Sequence, residues 1–156
     1  VEEEGERIMP EGRQIHRGGT YLAMEGPAFS TRAESELYRS WGCSVIGMTN
    51  HTEARLAREA EIAYSSISMA TDYDCWHPNH EEVSVGMVID NLKANSIIGG
   101  KIVEAVAKTI SKSRPQSSAH FALKDGLMTP KELVPDHTRH KLNIFTNPYW
   151  GEIENI

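Results

Sequence analysis

The chain has 156 residues, of which 39% are hydrophobic and 24% are charged. This balance is typical of a folded globular protein and argues against intrinsic disorder. The formal net charge is -6, and the scattered lysines and arginines form no basic stripe, which argues against nucleic acid as a partner. No apolar run approaches the length that spans a membrane. From its length and composition, we expect the chain to form a single domain over residues 1–156.

The first predicted elements are a strand, a helix and a second strand. An apolar run over residues 20–24 predicts the first strand, and Gly26-Pro27 predicts a turn after it. Residues 30–42 have apolar positions at helical spacing, with Ser30 and Glu34 in a capping-box pattern and Gly42 as the stop. The second strand is predicted over residues 43–49, which are rich in β-forming side chains.

The remaining elements continue the alternation of strands and helices. A helix over residues 51–61 precedes a third strand over residues 62–71, and a loop runs through residues 77–79. The later predictions are a long helix over residues 82–111 with a bend at Gly99-Gly100, a helix over residues 117–126, and a tail after Pro130 with a short helix and an irregular end. This order predicts an α/β fold with a parallel or mixed central sheet flanked by helices.

Polar or aromatic side chains follow each predicted strand. Ligands of open α/β sheets bind at the carboxyl ends of the strands, which makes Phe29, Thr49, Asp72 and Asp74 candidate binding residues. On an extended backbone, the two aspartates would point to one side and would need a cation, a metal or a hydrogen-bonding ligand. Together these residues favour a nitrogen-rich aromatic ligand and an anionic co-reactant.

Histidine and cysteine residues could also indicate a metal site or a redox site. His77 and His80 with Asp74 could be imagined as metal ligands, but the loop offers no fourth ligand, so we expect no metal site here. Cys43 and Cys75 lack the spacing of a zinc or redox motif. Reduced core thiols of a cytoplasmic protein are the favoured interpretation.

Three stretches carry a resemblance to a known family: "GGTYLAMEGPAFSTRAESELYRSWGCSVIGMTN", "EARLAREAEIAYSSISMATDYDCWH" and "EEVSVGMVIDNL". They closely resemble the C-terminal half of the 5′-methylthioadenosine phosphorylases, which belong to the trimeric purine nucleoside phosphorylase family. The resemblance implies that family's α/β fold and homotrimer. It also implies phosphorolysis of methylthioadenosine, in which phosphate displaces adenine from C1′ of the sugar and gives adenine and 5-methylthioribose 1-phosphate, a purine and methionine salvage reaction.

The resemblance implies roles for the acidic pair. Asp72 would protonate N7 of the departing purine, and Asp74 would hold its exocyclic amine. An aspartic acid that donates a proton near neutral pH needs burial or a neighbouring carboxylate to disfavour its charged form, so we expect both for Asp72. A structural role as the cap of the following turn is the alternative, chiefly for Asp74.

The resemblance also implies which purine is preferred. Relatives that act on 6-oxopurines carry Glu in place of Ser30 and Asn in place of Asp72. The residues of this chain therefore favour a 6-aminopurine such as adenine, because a carboxylate accepts from an amine but repels an oxo group. Phe29 and Ser30 would contact the base, Met48 the ribose and Thr49 the phosphate. Simple core filling is the alternative for Met48.

An apolar pocket is implied for the 5′-methylthio group, lined by Val85, Val88 and Ile89. Helical spacing alone would place these residues in the core, and both interpretations are compatible because a pocket wall is also a core edge.

The family's Gly-rich phosphate loop and its Arg-His motif are not found in residues 1–19. We therefore expect an N-terminal half in the same or another chain. Two other functions stay open: a related phosphorylase that prefers adenosine or methylthioinosine, and a purine-binding fragment without turnover.

Overall fold

The computed structural model describes residues 1–77 and 85–151, except for the side chains of Val85 and Met87. The helices and strands of these residues, in chain order, are α1 (Glu2–Ile8), β1 (Tyr21–Ala23), α2 (Arg32–Ser40), β2 (Val45–Gly47), α3 (Asn50–Glu59), α4 (Val85–Lys112) and α5 (Asp136–Trp150). Short 3₁₀ turns cover Asp74–Trp76, Ser118–Phe121 and Lys131–Leu133. No helix of the described residues is long and apolar enough to cross a membrane.

The described chain contains two compact units. The first consists of residues 1–51 and 65–115, and the second of residues 52–64 with the chain from Gln116 onward. All sequence-predicted site residues that the structure describes belong to the first unit.

The first unit contains a two-stranded parallel sheet. β1 pairs with β2 in a register that places Tyr21 opposite Val45 and Ala23 opposite Gly47. Helix α2 makes the crossover, as parallel neighbours require. The prediction of an α/β fold with parallel pairing after this crossover is confirmed. Gly47 lies directly against the phenol of Tyr21, where a Cβ atom would overlap the hydroxyl.

Helix α2 begins with a complete capping box. Thr31, not Ser30, is the N-cap residue, so the predicted cap was one residue too early. The Thr31 hydroxyl accepts a bond from the Glu34 backbone N–H (3.4 Å), and the Glu34 carboxylate accepts from the Thr31 backbone N–H (2.6 Å). The carboxylate also accepts from the Thr31 hydroxyl (2.8 Å), and these two bonds, first that from the Thr31 backbone, hold the pKa of the Glu34 carboxyl below its ordinary value. The Ser30 side chain instead points to Met24.

The capping box gives a first stability prediction. Thr31→Ala should lower the free energy of unfolding by about 1 kcal/mol, because it removes the N-cap acceptor. Urea titration followed by circular dichroism measures the change. Thr31→Ser, which keeps the hydroxyl, is the matched control and should stay close to the parent. Equal losses in the two variants would contradict the capping role.

The predicted third strand is wrong for the described chain. Residues 62–71 contain no assigned strand and pair with neither β1 nor β2. A strand needs the backbone of a neighbour, and in the described residues no segment lies in register beside this one. The segment has β-forming residues, but no described segment pairs with it through backbone hydrogen bonds.

Helix α4 covers most of the predicted long helix and extends one residue beyond its predicted end. It runs from Val85 to Lys112 without a break at Gly99-Gly100, and the predicted start at residues 82–84 lies outside the described residues. Gly99 has a packing role: its Cβ position would lie 3.0 Å from the Met69 sulfur. α4 packs on α1, where Ile102 lies beside Gly5. Ile102 is the only buried hydrophobic side chain of the described residues.

The second unit departs from prediction in two places. Residues 117–126 form a 3₁₀ turn and further turns instead of a helix, because the Leu123 N–H donates to the Glu61 carboxylate (3.0 Å) rather than to the backbone. The tail predicted as irregular belongs to helix α5, which ends at Gly151. Pro148 lies in its last turn, where it removes one backbone hydrogen bond and only two residues of the helix follow.

Glu61 organises the second unit. Its backbone has φ 56, and its carboxylate accepts hydrogen bonds from the Leu123 N–H and the Tyr149 hydroxyl. The hydrogen bond to Glu61 raises the pKa of Tyr149 to about 12, with further contributions from desolvation and from the charges of Glu61 and Asp125.

A pH dependence follows from Tyr149. A raised pKa in the folded state gives stability that is present below the ordinary phenol pKa of about 10 and is lost as the pH rises toward 12. Tyr149→Phe should therefore flatten the fall in stability between pH 10 and 12, measured by urea titrations across that range. Glu61→Gln, which removes the charged acceptor, should flatten it too. An unaltered slope in Tyr149→Phe would contradict the assignment.

Candidate active site

The candidate site begins where the two strands end. The Met24 N–H donates to the Gly47 carbonyl (2.8 Å), so the loops after β1 and β2 leave the sheet side by side. Ser30 Oγ lies 3.4 Å from Met24 Sδ, and a Cβ atom at Gly26 would lie 3.4 Å from the Met48 side chain. The structure therefore brings Ser30 and Met48 to the same edge of the sheet.

The acidic pair lies in a turn and not on an extended strand. Asp72 Oδ1 accepts the backbone N–H of Asp74 (2.8 Å), and Asp72 Oδ2 accepts the hydroxyl of Thr71 (2.6 Å). Asp74 has φ 60, a left-handed conformation that aspartate tolerates better than most residues. The predicted extended backbone, with both aspartates on one side, is thus wrong. The hydrogen bond that the Asp74 N–H donates to the Asp72 carboxylate folds the chain into a turn.

Asp74 is fixed by helix α2. The Ser35 hydroxyl, on a side chain only 2% exposed, donates to Asp74 Oδ2 at 2.6 Å, and the Cys75 N–H donates to Asp74 Oδ1 at 2.8 Å. The Cys75 thiol lies 3.8 Å from the Ser30 carbonyl. The acidic turn and the loop after β1 are therefore tied together. The sequence analysis missed Ser35, whose only signal is a small polar residue among the apolar positions of α2.

The exposure of the pair differs from expectation. Asp74 is half-buried, but Asp72 is exposed, so the predicted burial of Asp72 is wrong for the described chain. Its carboxylate follows a segment without strand neighbours, and no described element covers it. Cys75 is exposed as well and Cys43 half-buried, so neither thiol lies in a core as predicted.

Two asparagines of helix α4 hold the chain just before Asp72. Asn91 Nδ2 donates to the carbonyl of Thr71 (2.6 Å), and Asn95 Nδ2 donates to the carbonyl of Ala70 (2.8 Å). Asn95 in turn accepts a bond from Arg13 (2.8 Å). The four-residue spacing of the asparagines puts both amides on one helix face. This spacing was the available sequence signal, and sequence reasoning missed it.

The other predicted residues have less support from contacts. Phe29 is 87% exposed, Met48 and Thr49 are exposed, Val88 is half-buried and Ile89 is exposed. Thr49 directly precedes α3, whose N-terminal N–H groups favour an anion. Val85 begins α4, but its side chain lies outside the described residues.

An aromatic group packs beside the acidic turn. The Arg39 guanidinium stacks on the Trp76 ring at 3.6 Å from its centroid, and Tyr73 and His77 lie within ring contact of Trp76. This cation–π contact is a second link between α2 and the turn. Among the described residues, no group of three histidine, cysteine or acidic side chains could hold a metal ion, and His80 lies outside them.

Comparison with known proteins identifies the family. The family model described as the phosphorylase superfamily matches residues 2–108, which is more than half of the chain and includes both strands and the acidic turn. The chain belongs to the phosphorylase superfamily. A relative named S-methyl-5′-thioadenosine phosphorylase from Prochlorococcus marinus is 70% identical over 150 residues, and this match covers 96% of the chain and 48% of the relative.

Further members of the phosphorylase superfamily extend the likeness. The S-methyl-5′-thioadenosine phosphorylase of Gloeobacter violaceus is 55% identical over 83% of this chain and 43% of its own length. A methylthioadenosine phosphorylase structure from an antarctic soil metagenomic library superposes with a TM-score of 0.84 at 40% identity, covering 92% of this chain and 50% of that one. One from Schistosoma mansoni in complex with adenine gives 0.60 at 34% identity, covering 74% and 41%. The chain thus spans about half the length of these relatives.

Proposed function

We propose that the chain carries the purine-binding half of a 5′-methylthioadenosine phosphorylase, a pentosyltransferase. The observation that carries the proposal is the 70% identity to the Prochlorococcus marinus relative over 96% of the chain. In the complete enzyme, phosphate would displace adenine from methylthioadenosine and give 5-methylthioribose 1-phosphate. The proposed enzyme is a cytoplasmic homotrimer that uses phosphate as a co-substrate and needs no cofactor.

The contacts of the acidic turn support an acid and an acceptor side by side. Each carboxylate oxygen of Asp72 and Asp74 accepts one hydrogen bond inside the protein, which leaves a second lone pair on each for a ligand. The proposed role of Asp72 is to give a proton to N7 of the leaving purine, and that of Asp74 is to accept from its exocyclic amine. The Thr71 hydroxyl can donate or accept, so it stays bonded whether Asp72 is charged or protonated.

The remaining roles complete the substrate site. Phe29 and Ser30 would contact the purine, and Met48 the ribose. Val85, Val88 and Ile89 would surround the methylthio group. Thr49 would bind phosphate, supported by its place before the N-terminus of α3. We propose that the cationic phosphate ligands come from the half of the enzyme that this chain does not span.

The experiment compares the chain alone with the chain co-expressed with the remaining half of the Prochlorococcus marinus relative. Methylthioadenosine, adenosine and methylthioinosine are supplied with phosphate, and release of the free base is followed by chromatography. We expect turnover only for the co-expressed pair, fastest with methylthioadenosine, and none without phosphate.

Other outcomes of this assay would favour the alternatives. Faster turnover of methylthioinosine would contradict the roles of Ser30 and Asp72 in selecting a 6-aminopurine. Faster turnover of adenosine would contradict the methylthio pocket. Adenine binding that phosphate does not affect, without turnover of any nucleoside, would favour a non-catalytic purine-binding fragment.

A further inference from the structure

Helix α2 has one buried side chain, and that side chain is polar. Ser35 is 2% exposed, whereas the other residues of α2 are half-buried or exposed. A buried hydroxyl on a helix commonly donates to a carbonyl one turn back, as Thr146 does to the Leu142 carbonyl in α5 (3.1 Å). Ser35 donates instead to Asp74 Oδ2, 39 residues further along the chain, at 2.6 Å. The direction of this hydroxyl is therefore set by the acidic turn and not by its own helix.

The Ser35 hydroxyl fixes the orientation of the Asp74 carboxylate. The terminal torsion of an aspartate side chain has only broad preferences, so hydrogen-bond donors have to set the plane of the carboxylate. Two donors do so, Ser35 Oγ on Oδ2 (2.6 Å) and the Cys75 N–H on Oδ1 (2.8 Å). Of these two, only Ser35 lies outside the turn. Ser35 thus relates the direction of the carboxylate to helix α2.

Helix α2 also holds the loop that carries Ser30, which lies directly before the N-cap of the helix. The Cys75 thiol lies 3.8 Å from the Ser30 carbonyl and 3.5 Å from Ser35 Oγ. One turn beyond Ser35, Arg39 stacks on Trp76. Positions 35 and 39 share one face of a helix, so this face of α2 contacts the acidic turn twice. The loop after β1 and the acidic turn therefore keep a fixed relation to each other.

We propose that Ser35 is a positioning residue of the purine site, which acts through Asp74 and makes the site select a 6-aminopurine over a 6-oxopurine. This deepens the proposed function and rests on it, because Asp74 is there the acceptor for the exocyclic amine. A carboxylate held in one orientation aligns its free lone pair with an amine and repels an oxo group at the same place. A carboxylate that is free to turn binds the amine less tightly and avoids the oxo group, so selectivity falls for both reasons.

The test measures a ratio between two substrates in the chain co-expressed with the remaining half of the Prochlorococcus marinus relative. The kcat/KM for methylthioadenosine is divided by that for methylthioinosine. This ratio does not depend on how much of the enzyme is folded, so a loss of stability alone leaves it unchanged. Ser35→Ala should lower the ratio about tenfold, as expected for the loss of one hydrogen bond to a charged group. The affinity for adenine relative to hypoxanthine, measured by calorimetry, should fall equally.

Two further variants separate the hydroxyl from its surroundings. Ser35→Cys keeps the size of the side chain but offers only a weak donor, so it should lower both ratios as Ser35→Ala does. It gives the decisive measurement if Ser35→Ala fails to fold, and a parental ratio in this variant would overturn the proposal. Ser40→Ala is the matched control, because it removes an exposed hydroxyl of the same helix that donates to the Leu37 carbonyl. It should leave both ratios within about twofold of the parent.

A double-mutant cycle with Asp74→Gly tests whether Ser35 acts through Asp74. Glycine removes the carboxylate and readily adopts the φ of 60 found at this position. In the Asp74→Gly background, Ser35→Ala should change the ratio of adenine to hypoxanthine affinity by no more than about twofold, because the group that it orients is gone. Equal changes in the two backgrounds would overturn the proposal.

Failure of this proposal and failure of the proposed function give different results. If the parent turns over methylthioadenosine and Ser35→Ala keeps the parental ratios, the role of Ser35 is wrong and the proposed function stands. If the parent binds adenine but turns over no nucleoside, the proposed function is wrong, and the ratio of base affinities decides on Ser35. A parent that binds neither base would overturn both.

Discussion

Asp72→Asn should reduce the turnover of methylthioadenosine by about 10²–10⁴-fold in the co-expressed enzyme, the range expected when a general acid is lost. Asparagine keeps the size of the side chain: its oxygen can still accept the Asp74 N–H, and its amide group can donate to the Thr71 hydroxyl, which then acts as the acceptor. It cannot deliver a proton to a departing purine. The change therefore removes the chemistry while preserving the turn, and kcat should fall more than the binding of adenine.

The matched control is Asp125→Asn, an exposed aspartate of the second unit, which should leave turnover within twofold. Adenine affinity, measured by calorimetry, separates loss of proton transfer from loss of the site. If the variant binds adenine as tightly as the parent and also turns over methylthioadenosine at the parental rate, Asp72 has no role in the mechanism. A gain of methylthioinosine turnover would agree with the role of Asp72 in purine choice.

Local patterns were sufficient to predict the elements that need only their own sequence. The alternation of apolar residues and the turn at Gly26 located β1, α2 and β2 closely. The cap of α2 was displaced from Thr31 to Ser30 because both side chains can cap and only backbone geometry decides between them. Residues 62–71 could not be predicted in this way, since a strand exists only when another backbone pairs with it.

The sequence was enough to select candidate residues for the acidic turn but not to predict the geometry of that turn. The aspartates were found from their place after a strand pattern, yet their turn depends on the Asp74 N–H reaching back to Asp72. The groups that fix the turn lie far away in sequence, at Ser35 and at the asparagines of α4. Side-chain to backbone bonds of this kind have no periodic signature, so only the tertiary structure reveals them.

Ile102→Ala should lower the free energy of unfolding by about 2–5 kcal/mol, the usual cost of truncating a buried isoleucine. Ile102 is 2% exposed and lies beside Gly5 between α1 and α4, whereas its neighbour Val103 is 59% exposed. Urea titration of the chain alone measures the effect, and Ile102→Val should cost only about 0.5–1.5 kcal/mol.

Ile144→Ala is the matched exposed control for Ile102→Ala, because Ile144 is 80% exposed, and we expect a change of no more than about 0.5 kcal/mol. Equal effects at positions 102 and 144 would contradict a packed core between α1 and α4. Val103→Ala, at the neighbouring position of α4, should behave like the control in the chain alone, because Val103 is 59% exposed.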